Sequence, residues 1–199
     1  MIRFCKMQLI CSFIIFLIAG CDKKGNPLPS DIIFNAQLNG IKYKDVMPMV
    51  IPPGAQRTPV LEIVQGDQGY INLQSSLKPQ DGGDKHGGFS LNIRVPLNEQ
   101  IQLNKEYSFS PIAGKEKLTG SDNLIYLDGA NQFVSISSTS YNLDTKYYGK
   151  GTFVLTEYDL VKNKAKGKVE FTFPYDKWDS GTKELKMSGE FHCWIRNPN

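Results

Sequence analysis

Histidines, cysteines and paired carboxylates are the side chains able to act as base, nucleophile or metal ligand, and in this 199-residue chain they are scattered. Only His86 and His192 offer an imidazole, and there is no Gly-x-Ser-x-Gly elbow or His-Glu-x-x-His pair, so nucleophilic and zinc-dependent hydrolysis find no support. Carboxylates are plentiful, but the partners in a glycosidase pair are spatial neighbours that no sequence pattern selects. No catalytic residue, metal ligand or cofactor is therefore assigned. Three segments do concentrate polar or aromatic chemistry. Gln80 to Gly88 (QDGGDKHGG) gathers Asp81, Asp84 and His86 among four glycines. It lacks the order of a phosphate loop, and ordering that many glycines around a cation is costly, so it reads as a hairpin connection. Tyr175 to Gly181 (YDKWDSG) sets Tyr175 and Trp178 beside Asp176 and Asp179. Aromatic faces stack on sugar C–H groups while carboxylates accept hydroxyl protons, although a plain connection with Trp178 capping the core edge uses the same residues. In the third segment, Met187, Phe191, Cys193 and Ile195 alternate with Lys186, Glu190, His192, Trp194 and Arg196. Trp194 and His192 thus fall on the nominal solvent face, as a binding surface or as packing against Arg196. The candidate ligand-binding residues are Tyr175, Trp178, Asp179, His192 and Trp194.

The cysteines carry the sharpest chemical signal. Arg3 and Lys6 precede an almost wholly apolar run from Leu9 to Ala19, followed by Gly20 and Cys21. That is the charged, apolar and small-residue order of a secretory leader. A membrane-spanning helix needs about 20 apolar residues, and this run is too short. Ile18-Ala19-Gly20-Cys21 resembles the bacterial lipoprotein signal, in which the cysteine takes a diacylglyceryl thioether, the leader is cut before it, and the new amino terminus is acylated, commonly with palmitate. Small residues at 19 and 20 admit a peptidase, and only a thiol supplies the nucleophile. Two or more acyl chains, each adding about 0.8 kcal/mol per buried CH₂, hold a protein to a bilayer where one is marginal. Residues 1–20 are thus expected to be a signal peptide and Cys21 the lipidation site. Cys5 and Cys11 leave with the leader, so Cys193 stands without a disulfide partner and reads as a small buried hydrophobe.

Without Arg3 and Lys6 the 23 basic residues become 21, against 20 acidic ones. A nearly neutral domain lacks the basic face that phosphate neutralisation demands, which argues against nucleic acid as a partner. About 180 mature residues suffice for one self-supporting core.

Residues 21–31 form a lipidated end and a Pro- and Gly-containing tether (DKKGNPLPSD), and 32–199 form a single β-rich domain. Alternation of Phe34, Ala36 and Leu38, then Asn39-Gly40, predicts an opening hairpin over 32–46. Further strands are predicted at 59–64, 69–76, 89–96, 123–128, 131–138, 151–159, 167–174 and 184–195, with Asp128-Gly129 as a tight turn. Lys162 to Lys168 (KNKAKGK) reads as a solvated hairpin tip. With no amphipathic helical window and about ten short strands, the expected fold is all-β, an antiparallel β-sandwich or barrel-like meander. A domain split near 111–122, where Pro111, Gly114 and Gly120 interrupt the pattern, is the alternative partition.

The leader, the "FNAQLNGIKYK" hairpin and the closing "GTFVLTEYD", "GKVEFTF" and "MSGEFHCW" series resemble small lipoproteins of unknown function from Bacteroidota. The likeness covers about half the chain. It implies a β-rich domain in the cell envelope, held by lipid on Cys21, with the outer membrane, on its periplasmic face or the cell surface, favoured over the inner. It implies no catalytic residue. Two functions are weighed: a membrane-tethered binding or accessory module for a glycan, an apolar ligand or another envelope protein, and an envelope hydrolase acting on glycans through carboxylates.

Overall fold

Asn39 and Gly40 reverse the chain with φ of 46° and 85°, the positive angles that only such residues reach cheaply. The computed structural model describes residues 31–47, 57–64, 69–81, 87–96, 101–111, 113–119, 132–138, 145–176, 181 and 183–196. Within them the hairpin is β1 (Ile33–Leu38) and β2 (Ile41–Val46). Then come β3 (Val60–Val64), β4 (Tyr70–Pro79), β5 (Phe89–Pro96), β6 (Glu106–Phe109), β7 (Lys117–Thr119) and β8 (Phe133–Ser138). The last four are β9 (Thr145–Tyr148), β10 (Lys150–Asp159), β11 (Lys164–Phe173) and β12 (Leu185–Arg196). The predicted strands in the described residues are all present, and the fold is the expected all-β one. The strand predicted at 123–128 and the Asp128-Gly129 turn lie outside the described residues.

All twelve strands belong to one sheet, ordered β6-β10-β11-β12-β1-β2-β4-β5-β8-β9-β7, with β3 lodged between β12 and β4. Strands on both sides of 111–122 therefore share that sheet. Its ends meet because β9 and β10 are one bent strand, interrupted only at Gly149. The first half pairs with β8 and β7, and the second with β11 and β6. Gln132, just before β8, donates its side-chain amide to the Ser108 carbonyl of β6, and Lys117 of β7 is salt-bridged to Asp176, just after β11. The arrangement is barrel-like, with β6 and β7 as the terminal strands of the path.

Alternation along each strand fills the interior. In β11 the buried positions are Ala165, Gly167, Val169, Phe171 and Phe173. Phe153 stacks on Phe191 at 5.6 Å, and Phe34 meets the same ring at 5.8 Å. One end is plugged by Tyr43, Phe89, Tyr147 and Tyr175, with Tyr175 edge-on to Phe89 and to Tyr147 at 5.5 and 4.8 Å. Burial pushes the Tyr43 hydroxyl up to about 12, with Tyr175 adding to the effect.

The lysine run departs from expectation. Only Leu160 to Asn163 turn, whereas Lys164 to Lys168 lie inside β11. Gly167 is there for room, since a Cβ would sit 2.4 Å from Cζ of Phe191.

One inserted strand creates a fork. β2 meets β4 only at Tyr43↔Pro79 and Lys44↔Lys78, while β3 takes over from Gln74. Ser75 and Ser76 fall between the two pairings, and Asp45 fills the gap. Its carboxylate accepts from the Ser76 N–H at 2.7 Å, the Ser75 hydroxyl at 2.9 Å and the Thr58 hydroxyl at 3.2 Å. Desolvation nevertheless leaves the Asp45 pKa raised above the ordinary aspartate value, partly offset by those hydrogen bonds and by Lys78. A raised folded-state pKa means the native state holds its proton longer, so the carboxyl favours folding at low pH and that contribution is lost as pH rises from the ordinary aspartate value through the raised one. Asp45→Asn is expected to flatten this part of the stability profile. Urea midpoints of both proteins across a pH series check it, and parallel profiles would contradict the assignment.

Candidate functional site

The strand alternation that fills the barrel also directs a second set of side chains outward, and over β4, β5 and β8 these are small and polar. Registers align them into two rows crossing the three strands, Gln74-Asn92-Ser135 and Ser76-Ser90-Ser137. Ser135 and Ser137 are buried on this outward face, because short side chains sit low in a groove of about 690 Å³ that these six residues line. Lys44, Lys78 and Lys146 stand around it, and the Asp45 fork with Thr58 and Val46 forms another part of its lining.

Two groups in this groove are poorly matched by the protein. Asn92 Oδ1 is buried with no hydrogen-bond partner, a condition that costs about 1–3 kcal/mol unless another molecule supplies a donor. Lys146 is half-buried, and desolvation lowers its pKa. Among the described residues of the lining the one carboxylate, Asp45, is already engaged by Ser75, Ser76 and Thr58. The groove therefore presents a cation, amide groups and hydroxyls to whatever enters it.

Of the residues singled out from sequence, Trp194 and His192 each lie two strands from a groove-lining residue. Trp194 is outward and half-buried, and the registers run Trp194↔Val60 and Val60↔Gln74, so it stands two strands from the groove floor on the same row, roughly 10 Å away at ordinary strand spacing. His192 occupies the next row, His192↔Ile33↔Val46, which ends on a groove-lining residue. Burial first, then Lys166 and Lys164, lower the His192 pKa, and its Nε2 is buried without a partner. Tyr175 does not join them. It is read from sequence as a surface platform, yet its ring is 2% exposed and belongs to the barrel plug, because Phe89 and Tyr147 offer an aromatic enclosure. Trp178 and Asp179 lie outside the described residues, as do Asp84 and His86. The groove residues escaped notice because alternation marks Ser90 and Asn92 as solvent-facing and says nothing about concavity.

A second groove of about 570 Å³ on the outer face of β11, β12, β1 and β2 contains Glu170 and Glu190. Both are exposed, and Lys168 is salt-bridged to Glu190 at 3.1 Å. Carboxylate glycosidases need one acid in an apolar enclosure so that the two can play different roles, and these two stand in solvent. Comparisons of the chain with protein-family models, curated proteins and solved structures find no match.

Proposed function

We propose that this chain is an envelope lipoprotein, anchored by lipid on Cys21 in the outer membrane, whose β-barrel is a binding module for a hydroxyl-rich ligand of the glycan class. The observation that carries the ligand reading is the polar groove floor, with Asn92 Oδ1 unpartnered among the described residues and Lys146 half-buried at its side. A sugar supplies hydroxyls that donate to the amide oxygen and accept from the ammonium. Trp194, on the row leading into the groove, offers a ring face for C–H stacking. A packed aromatic interior argues against an apolar ligand carried inside the barrel. The exposure of Glu170 and Glu190 favours binding over hydrolysis.

Calorimetry against a panel of neutral and acidic oligosaccharides tests the ligand class. Lys146→Ala and Asn92→Ala are each expected to weaken saturable binding by about tenfold, equivalent to one lost hydrogen bond of about 1.4 kcal/mol. Absence of saturable binding to the wild type, or full affinity in both variants, would overturn the assignment of this groove.

A further inference from the structure

Among the described residues, the two most exposed large apolar side chains are neighbours. Leu160 is 51% and Val161 85% exposed, both in the turn between β10 and β11. The turn is a fixed one: the Lys162 N–H donates to Asp159 Oδ1 at 2.9 Å, and Asn163 adopts φ of 49°. Leu103, 49% exposed, precedes β6 at the same end of the barrel, since β6 runs antiparallel to β10 and the Asn104 N–H donates to the Leu155 carbonyl.

The cations nearby are largely answered within the protein. Glu157 is salt-bridged to Lys164 at 2.9 Å and to Lys166 at 2.8 Å, and Lys162 lies 3.5 Å from Asp159. These two ammonium contacts, the Lys166 one first, draw the Glu157 pKa down to about 2. Among the described residues, the β10–β11 turn therefore presents apolar side chains with its own cations paired, while Lys105 and Glu106 stand exposed near Leu103.

The chain upstream of the barrel enters at this same end. Ile33 pairs with His192, His192 with Lys166, and the Ile195 N–H donates to the Asn163 carbonyl, so Asp31 lies at the same end of the barrel as the β10–β11 turn, with β12 between them. Asp31 is also among the charges felt by His192. Cys21 is ten residues earlier, which at full extension allows at most about 35 Å.

We infer that this end of the barrel seats on a lipid bilayer, with Leu160 and Val161 entering the interface. The orientation rests on the lipid anchor proposed above, whereas the apolar tip is independent of it. Because the charges of the turn itself are paired within the protein, contact should form on zwitterionic as well as anionic lipid and change little with salt.

The test uses the full chain with an environment-sensitive coumarin amino acid encoded in place of Val161. A control carries it in place of Lys186, which is exposed at the opposite end beside the Asn39 turn. Each is mixed with phosphatidylcholine vesicles containing brominated acyl chains, and the intact mass of the same sample reports lipidation. The expected result is a blue shift and bromine quenching at 161 with neither at 186. A lipidated chain without quenching at 161 would overturn the inference and leave the anchor standing. An unlipidated chain still quenched at 161 would support the tip while removing the anchor. A shift at 161 that appears without vesicles and grows with protein concentration would mean that a second copy covers the tip, and the inference would fail.

Discussion

Gly151→Val is expected to leave no folded domain at ordinary temperature. Gly151 has φ of +141°, a conformation that L side chains rarely adopt, and a Cβ there would lie 2.0 Å from the Glu170 carbonyl oxygen and 2.8 Å from the Phe171 Cα. Both obstacles are backbone of the neighbouring strand, so no rotamer change relieves them. The position is also special topologically, because the strand that passes from β9 into β10 must swing from one partner set to the other just here. Steric conflict with backbone plus an unfavourable φ places the loss above about 4 kcal/mol, which rivals the whole stability of many domains. Near-ultraviolet circular dichroism and a urea melt report it. Gly114→Ala is the matched control: its φ is also positive at +77°, but a Cβ meets nothing within 4 Å, so only the conformational cost of about 1–2 kcal/mol is expected. Equal losses in the two variants would show that the close approach at Gly151 is not what matters.

The second large effect concerns Cys21. Growth with a radiolabelled palmitate precursor is expected to label the wild-type chain, and Cys21→Ser is expected to abolish the label and leave residues 1–20 attached. Both outcomes follow from one sulfur atom, since a hydroxyl does not form the thioether and an unmodified chain is a poor substrate for the lipoprotein peptidase. The structure removes the main confusion from such an experiment. Cys193 is wholly buried, its Sγ lies 3.7 Å from the Ala165 carbonyl, and burial pushes its thiol pKa far up, so it offers neither access nor thiolate as a substitute acceptor. Label retained by Cys21→Ser at the wild-type level would refute the anchor.

What could be read beforehand follows from where the information is stored. The opening hairpin was legible because Asn39 and Gly40 tolerate positive φ locally, and β5 because Phe89, Leu91, Ile93 and Val95 alternate without a break. β6, β7 and β9 were not, since four or fewer residues such as Lys117-Leu118-Thr119 carry too few positions for a period to show. Charge misled in the lysine run, where Lys164, Lys166 and Lys168 look like a solvated tip but are the outward positions of β11, opposite the space that Gly167 leaves for the Phe191 ring. Tyr175 misled as well, because the neighbours that bury it, Phe89 and Tyr147, are distant in sequence. The groove was invisible for the same reason. Gln74, Asn92 and Ser135 lie on three strands, and only their registers make one row of them.

The pairing of β1 with β12 has a temporal side. Phe34 faces Phe191 and Asn35 faces Glu190, so the first described strand finds one of its two partners only in the last. Contacts this distant along the chain form slowly, because the loop must close before any of them is rewarded. An emerging polypeptide would hold the β1–β2 hairpin with its inner face uncovered until β12 is available. A chain that postpones its core in this way stays open for longer before it closes. It also makes the C-terminal strand a checkpoint: a chain cut short before Leu185 leaves the outer flanks of β1 and β11 open for pairing with another copy, so its expected fate is aggregation rather than a smaller barrel.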